Sequence, residues 1–139
     1  MLPFPAQGHI QAMMHLAKIL YARGFCITFV NTEYIQQSLL KSGSVDSVNS
    51  LPDFKFETIP DGLPPEHGRT SNLVELCRSF TDNGPAHFEK LVHKLKQSQT
   101  EVVPPVTCII IFERNMTFAN QKMGEEISGE AASTVSIVF

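Results

Sequence analysis

Several things are scarce in this 139-residue sequence, and each scarcity closes off a class of function. No apolar run approaches the ~20 residues a helix needs to span a bilayer, so no integral membrane segment is expected. The opening Met1-Leu2-Pro3-Phe4-Pro5 has neither the basic nor the apolar stretch of a secretory signal, and a cytoplasmic protein is expected. Charge is sparse and nearly balanced. With 11 Lys+Arg, 14 Asp+Glu and a net charge of −3, nothing favours nucleic acid or an anionic membrane as partner. The three cysteines, Cys26, Cys77 and Cys108, are odd in number and form no C-x-x-C pair. They read as reduced thiols, with Cys26 and Cys108 as small core residues of apolar strands. No His/Asp/Glu cluster has ligand spacing, so no metal is expected; His67, His87 and His93 read as surface residues. Gly43, Gly62 and Gly68 stand singly in turns, not in a phosphate-cradling loop. Tryptophan is missing altogether.

What remains is an ordinary globular composition, 42% hydrophobic and 18% charged, at the length of one domain. A chain of this size buries roughly 68–70% of its unfolded surface. Ile10, Met13, Met14, Ala17, Leu20 and Tyr21 recur on one helical face over 9–23, and Gly24 falls where a C′ cap belongs. Residues 25–30, Phe-Cys-Ile-Thr-Phe-Val, read as a strand buried on both faces. Asn31-Thr32 is an N-cap pair for a helix over 33–41, and the small polar residues of 42–52 predict a surface loop. Residues 54–59 alternate like a strand and end in the turn Pro60-Asp61-Gly62-Leu63-Pro64-Pro65. A helix is predicted over 71–98 with a break at Gly84-Pro85; its Lys90, Lys94 and Lys96 read as a solvated face. Residues 106–112 form the most apolar strand, 117–127 a further helix, and 134–139 one improvised strand. The alternation of helix and strand predicts an α/β fold, a parallel sheet covered on both faces. In such folds working residues gather at the carboxyl ends of strands.

Gly8-His9 lies at such a place, where the opening turn passes into the first helix. The positive end of the helix dipole disfavours an imidazolium, so the ring is expected to stay neutral near pH 7 and able to take a proton. From residue types alone a plainer reading stands beside this one: Gly8 breaks the loop and His9 is a polar first-turn residue. Glu113 follows the last strong strand and is the other carboxyl-end candidate. Asn115-Met116-Thr117 matches a glycosylation sequon and is read as chance.

Taken together, four stretches resemble the plant UDP-dependent glycosyltransferases that attach a sugar to small lipophilic acceptors. They are residues 3–9, 23–33, 51–65 and 104–109, in the family's order, and the likeness covers about 3–127. It is nearest to the subgroup that glucosylates terpenoid, iridoid and cyanohydrin-type aglycones. The resemblance implies a Rossmann-like N-terminal lobe of a GT-B enzyme. That lobe binds the acceptor and supplies the base, while a C-terminal lobe binds UDP-sugar through a signature rich in Trp, His and Gln. It implies inversion at the anomeric carbon, His9 as general base, no metal, and UDP-glucose as donor substrate. Acceptor-side candidates carried over are Phe4, Gln7, Gly8, Thr32 and Phe112; each is also explained as core or loop packing.

The sequence departs from the family in three places. Where the family has Cys-Ile-Val-Ser-Asp, this chain reads Cys108-Ile109-Ile110-Ile111-Phe112-Glu113, with one residue more. Glu113 then replaces the orienting aspartate, or belongs to a plain polar loop with Arg114 and Asn115. Without tryptophan the donor signature is not among these residues. Of the family's first strand only Met1-Leu2 remains, which would leave the strands near 26–30 and 107–112 with unpaired edges. The expected organisation is therefore an acceptor-binding lobe truncated at both ends over 1–127 and a divergent tail over 128–139. Little or no sugar transfer is expected from these residues alone, UDP-sugar being bound only if a C-terminal lobe is supplied. The competing expectation is a non-catalytic acceptor-binding or interfering lobe; a flavodoxin-like nucleotide-binding domain lacks its phosphate loop.

Overall fold

The computed structural model describes residues 1–64, 73–97, 105–111 and 135–138. The predicted helix over 117–127, together with Phe112, Glu113 and His67, lies outside the described residues. In chain order the elements are α1 (Gln7–Ala22), β1 (Ile27–Thr32), α2 (Glu33–Lys41), α3 (Asp46–Asn49), β2 (Phe54–Ile59), α4 (Leu73–Gln97), β3 (Cys108–Ile111) and β4 (Val135–Val138).

Among the described residues all strand pairing is parallel, as the helix–strand alternation predicts. β1 pairs with β2 from Ile27↔Phe54 to Thr32↔Ile59, and β3 pairs with β4 from Cys108↔Val135 to Ile111↔Val138. What joins the two pairs is the first two residues of the chain. The Met1 amine donates to the Thr28 carbonyl at 2.7 Å, Val30 N–H donates to the Met1 carbonyl, and Leu2 N–H donates to the Ile110 carbonyl, each at 2.8 Å. Leu2 bridges Ile111 in parallel. The edges expected to be empty are thus closed at the middle of β1 and at the carboxyl end of β3. Toward their amino ends no third strand lies between them among the described residues.

Side chains alternate across the sheet and build two cores. Ile27, Phe29, Phe54 and Ile110 meet Met13 and Ala17 of α1 on one face. Val30, Ile59, Ile109, Ile111 and Leu2 meet Phe88 and Leu91 of α4 on the other. Helices therefore cover both faces, and the α/β, Rossmann-like architecture is that of the sequence reading.

Several details differ from it. β1 starts at Ile27, because Phe25 belongs to the helix stop before it. Gly24 (φ +87°) donates to the Tyr21 carbonyl at 2.9 Å and Phe25 N–H to the Leu20 carbonyl at 3.2 Å, a complete Schellman cap. Cys26 is consequently exposed, and so is Cys108, the first residue of β3. Neither is a core residue. The 42–52 segment is no simple surface loop, since Val45 and Val48, three residues apart, lie on one face of the α3 turn and are buried against Phe54 and Ile27. α4 runs unbroken through Gly84-Pro85. A proline there removes one helical hydrogen bond, but Leu76 before it and Phe88 and Leu91 after it are all buried, and packing outweighs that loss.

Candidate functional site

Leu2 pairs with the last residue of β3, so the chain leaving it emerges at the carboxyl edge of the sheet. Pro3 and Pro5 are buried and hold the short connection, after which α1 begins two residues earlier than the periodicity suggested. Ala6 is the N-cap and makes no side-chain cap; its carbonyl accepts the first intrahelical bond from Ile10 N–H at 3.0 Å. His9 is thus the third helical residue, in the turn where backbone N–H groups have no partner of their own helix. Gly8 is helical and exposed, with nothing within 4 Å of an added Cβ, so it does not break the connection.

The His9 imidazole is half-buried and packs against Phe4, ring centroids 5.6 Å apart and planes at 80°. Phe4 meets Phe80 of α4 in the same way, at 6.0 Å and 85°. Edge-to-face pairs at such separations contribute about 0.5–1.5 kcal/mol each beyond the area they bury. The three rings form a file leading from the first turn of α1 to α4.

α4 is tied to the turn after β2. Ser79 Oγ donates to the Asp61 carbonyl at 2.9 Å, and Asn83 Nδ2 donates to the Ser79 carbonyl and hydroxyl at 3.1 and 3.3 Å. The buried Asp61 carboxylate accepts from Leu63 N–H at 3.0 Å, shaping the turn from within. Gly62 (φ +79°) lies so near α4 that an added Cβ would stand 2.6 Å from Ser79 Oγ and 2.7 Å from Asn83 Nδ2.

At the end of β1, Asn31 and Thr32 are buried. Thr32 caps α2, accepting from Ile35 N–H at 3.4 Å, so its hydroxyl already has a structural task. Asn31 Nδ2 donates to Gln36 Oε1 at 2.7 Å, while Asn31 Oδ1 is buried without a hydrogen-bond partner.

Of the residues singled out in the sequence, the structure brings Phe4 and His9 together and places Gln7 and Gly8 beside them, exposed, on the same helical turn. Phe112 and Glu113 lie outside the described residues. Phe80, Asp61 and Gly62 were not recognised as part of the site. The only sequence cues were the Pro-Asp-Gly turn and a glycine four residues after Phe80, over whose backbone the ring lies. Among the described residues no group of three or more His, Cys, Asp or Glu could hold a metal ion, and no helix is long and apolar enough to cross a membrane.

The family model described as the glycosyltransferase N-terminal domain matches residues 1–138. The chain is 50% identical over 110 residues to the 7-deoxyloganetin glucosyltransferase of Gardenia jasminoides, covering 78% of this chain and 23% of that protein. It is 47% identical over 110 residues to UDP-glycosyltransferase 85A5 of Arabidopsis thaliana, covering 78% and 22%. It is 50% identical over 109 residues to the (R)-mandelonitrile beta-glucosyltransferase of Prunus dulcis, covering 78% and 22%. The chain therefore spans less than a quarter of the length of these curated relatives.

Proposed function

The chain belongs to the glycosyltransferase N-terminal domain family, and from that premise we propose that it is the acceptor-side lobe of a UDP-dependent glucosyltransferase acting on a small lipophilic alcohol. His9 is the general base. As the acceptor oxygen attacks the anomeric carbon of the UDP-sugar, the O–H proton passes to an imidazole nitrogen. The bond from the anomeric carbon to the diphosphate oxygen breaks, UDP leaves with the electron pair, and the sugar is inverted. Proton transfer of this kind contributes about 10²–10⁴ in rate.

The single observation behind this reading is the placement of the imidazole. It sits in the first turn of α1, at the carboxyl edge of the sheet, half-buried and bordered by Phe4. Phe4, which borders the ring, and Gln7 and Gly8 on the same helical turn are the acceptor contacts we propose; Phe112 and Glu113 follow directly on β3 in sequence, with Glu113 as the acid that orients His9. The names of two relatives, 7-deoxyloganetin glucosyltransferase and (R)-mandelonitrile beta-glucosyltransferase, favour a glucose donor and a lipophilic hydroxylated acceptor. A cytoplasmic location accords with that chemistry.

The donor signature of the family contains tryptophan and these residues contain none. As a separate polypeptide of 139 residues the chain should therefore bind an acceptor yet transfer no sugar. The test joins residues 1–127 to the C-terminal lobe of a relative and follows transfer from radiolabelled UDP-glucose. Transfer is expected from the fusion and a loss of about 10²–10⁴ with His9→Ala. Undiminished transfer in that variant, or turnover by the separate 139-residue chain, overturns the proposal.

A further inference from the structure

A histidine in a first helical turn has its Cβ fixed by the backbone, but its two side-chain torsions are free unless something borders the ring. Here Phe4, from the connection before the helix, borders one side of the ring. Phe4 is itself only half-buried, and its ring is bordered in turn by Phe80, from the middle of α4. Phe80 has an independent footing. Its ring lies over the backbone of Gly84, one turn on, where an added Cβ would stand 3.4 Å away. The residue before it, Ser79, is bound to the Asp61 carbonyl, and Gly62 is in close approach to Ser79 and Asn83. The turn after β2, the middle of α4, Phe4 and His9 thus form one contiguous series of contacts.

From this we infer that Phe80 is a positioning residue. Acting through Phe4 it holds the His9 imidazole in one orientation, and the Asp61–Gly62 turn holds Phe80. The inference rests on the reading of His9 as the base only for its functional consequence; the orientation itself is a property of the folded chain.

The test uses the 139-residue polypeptide with ¹³C-labelled histidine rings, the His9 signal being identified by its loss in His9→Gln. Two readings are taken, the His9–Phe4 ring-to-ring nuclear Overhauser effect and the His9 ring resonance, alongside the thermal midpoint. Phe80→Leu removes the aromatic edge at nearly constant hydrophobicity and is expected to abolish the Overhauser contact and displace the His9 resonance. Phe80→Tyr retains the ring and is expected to restore both. Phe88→Leu alters a buried residue of the same helix, in the core cluster against which Phe80 also packs. It is expected to lower the thermal midpoint and to displace the His9 resonance less than Phe80→Leu does. Gly62→Ala leaves every ring intact and is expected to displace the His9 resonance by moving α4, which keeps the inference testable if Phe80→Leu fails to fold. An unchanged His9 signal in Phe80→Leu or in Gly62→Ala, or an equal displacement in Phe88→Leu, overturns it. Loss of the base role would show separately, as undiminished transfer by the His9→Ala fusion while the ring contact persists.

Discussion

The amine of Met1 offers the most direct quantitative check on the fold. It lies between β1 and β3, donating to the Thr28 carbonyl at 2.7 Å, and burial pulls its pKa from 8.0 down to about 5, the Cys108 thiol nearby pulling weakly the other way. In the unfolded chain the amine takes a proton as pH falls through 8, whereas in the folded chain it does so only near 5. Between those limits the unfolded state holds more protons, so acid favours unfolding. The stability contributed by this group is complete above pH 8 and is lost as pH falls to about 5. Three pKa units at about 1.36 kcal/mol each set an upper bound of about 4 kcal/mol. The chain can avoid the buried charge by releasing Met1 and Leu2, but that sacrifices three backbone hydrogen bonds, about 0.5–1.5 kcal/mol apiece. A fall of about 2–4 kcal/mol across the window is expected. The assay is urea unfolding at a series of pH values, run in parallel on the free chain and on the same chain acetylated at Met1. The acetylated nitrogen still offers an N–H to Thr28 and carries no charge, so the difference between the two curves isolates this amine. Two parallel pH profiles would refute the placement of Met1 between the strands.

Two further substitutions probe the frame around the site. Gly24→Ala places a Cβ at φ +87° in the cap of α1 and should cost about 1–2 kcal/mol, read as a lower urea midpoint with an unchanged slope; no change would remove the Schellman assignment. Val48→Ala, in a segment of polar appearance, should cost about 1–3 kcal/mol because the side chain is buried beneath β2, whereas Ser47→Ala should stay within about 0.5 kcal/mol. Equal effects of the two would contradict the packing of α3.

What could be read in advance was what local chemistry decides. α2 over 33–41 and β2 over 54–59 appear with the bounds the sequence indicated, since Thr32 is a strong N-cap and Pro60 ends the strand. His9 falls in the first turn of α1 for the same kind of reason. What failed locally was decided by distant partners. Val45 and Val48 looked like loop residues because nothing nearby in sequence reveals the α1–β2 core they enter. Gly84-Pro85 looked like a break because the buried side chains that carry the helix across it belong to tertiary packing. Cys26 and Cys108 looked like strand interior, but the helix stop at Gly24 and Phe25 leaves Cys26 before β1, and Cys108 is the exposed first residue of β3. Phe80 was invisible for the same reason, its partner being seventy-odd positions earlier with no periodicity to connect them.

The pairing of residue 2 with residues 110 and 111 has a kinetic consequence. Its partners stand more than a hundred positions apart, and contacts of that kind form slowly because the intervening chain must first be ordered. α1 can coil early on its own, but its leading end is not seated against the sheet until β3 has arrived. His9 stands close to one end of that intervening chain, so its surroundings are completed only when the other end has arrived.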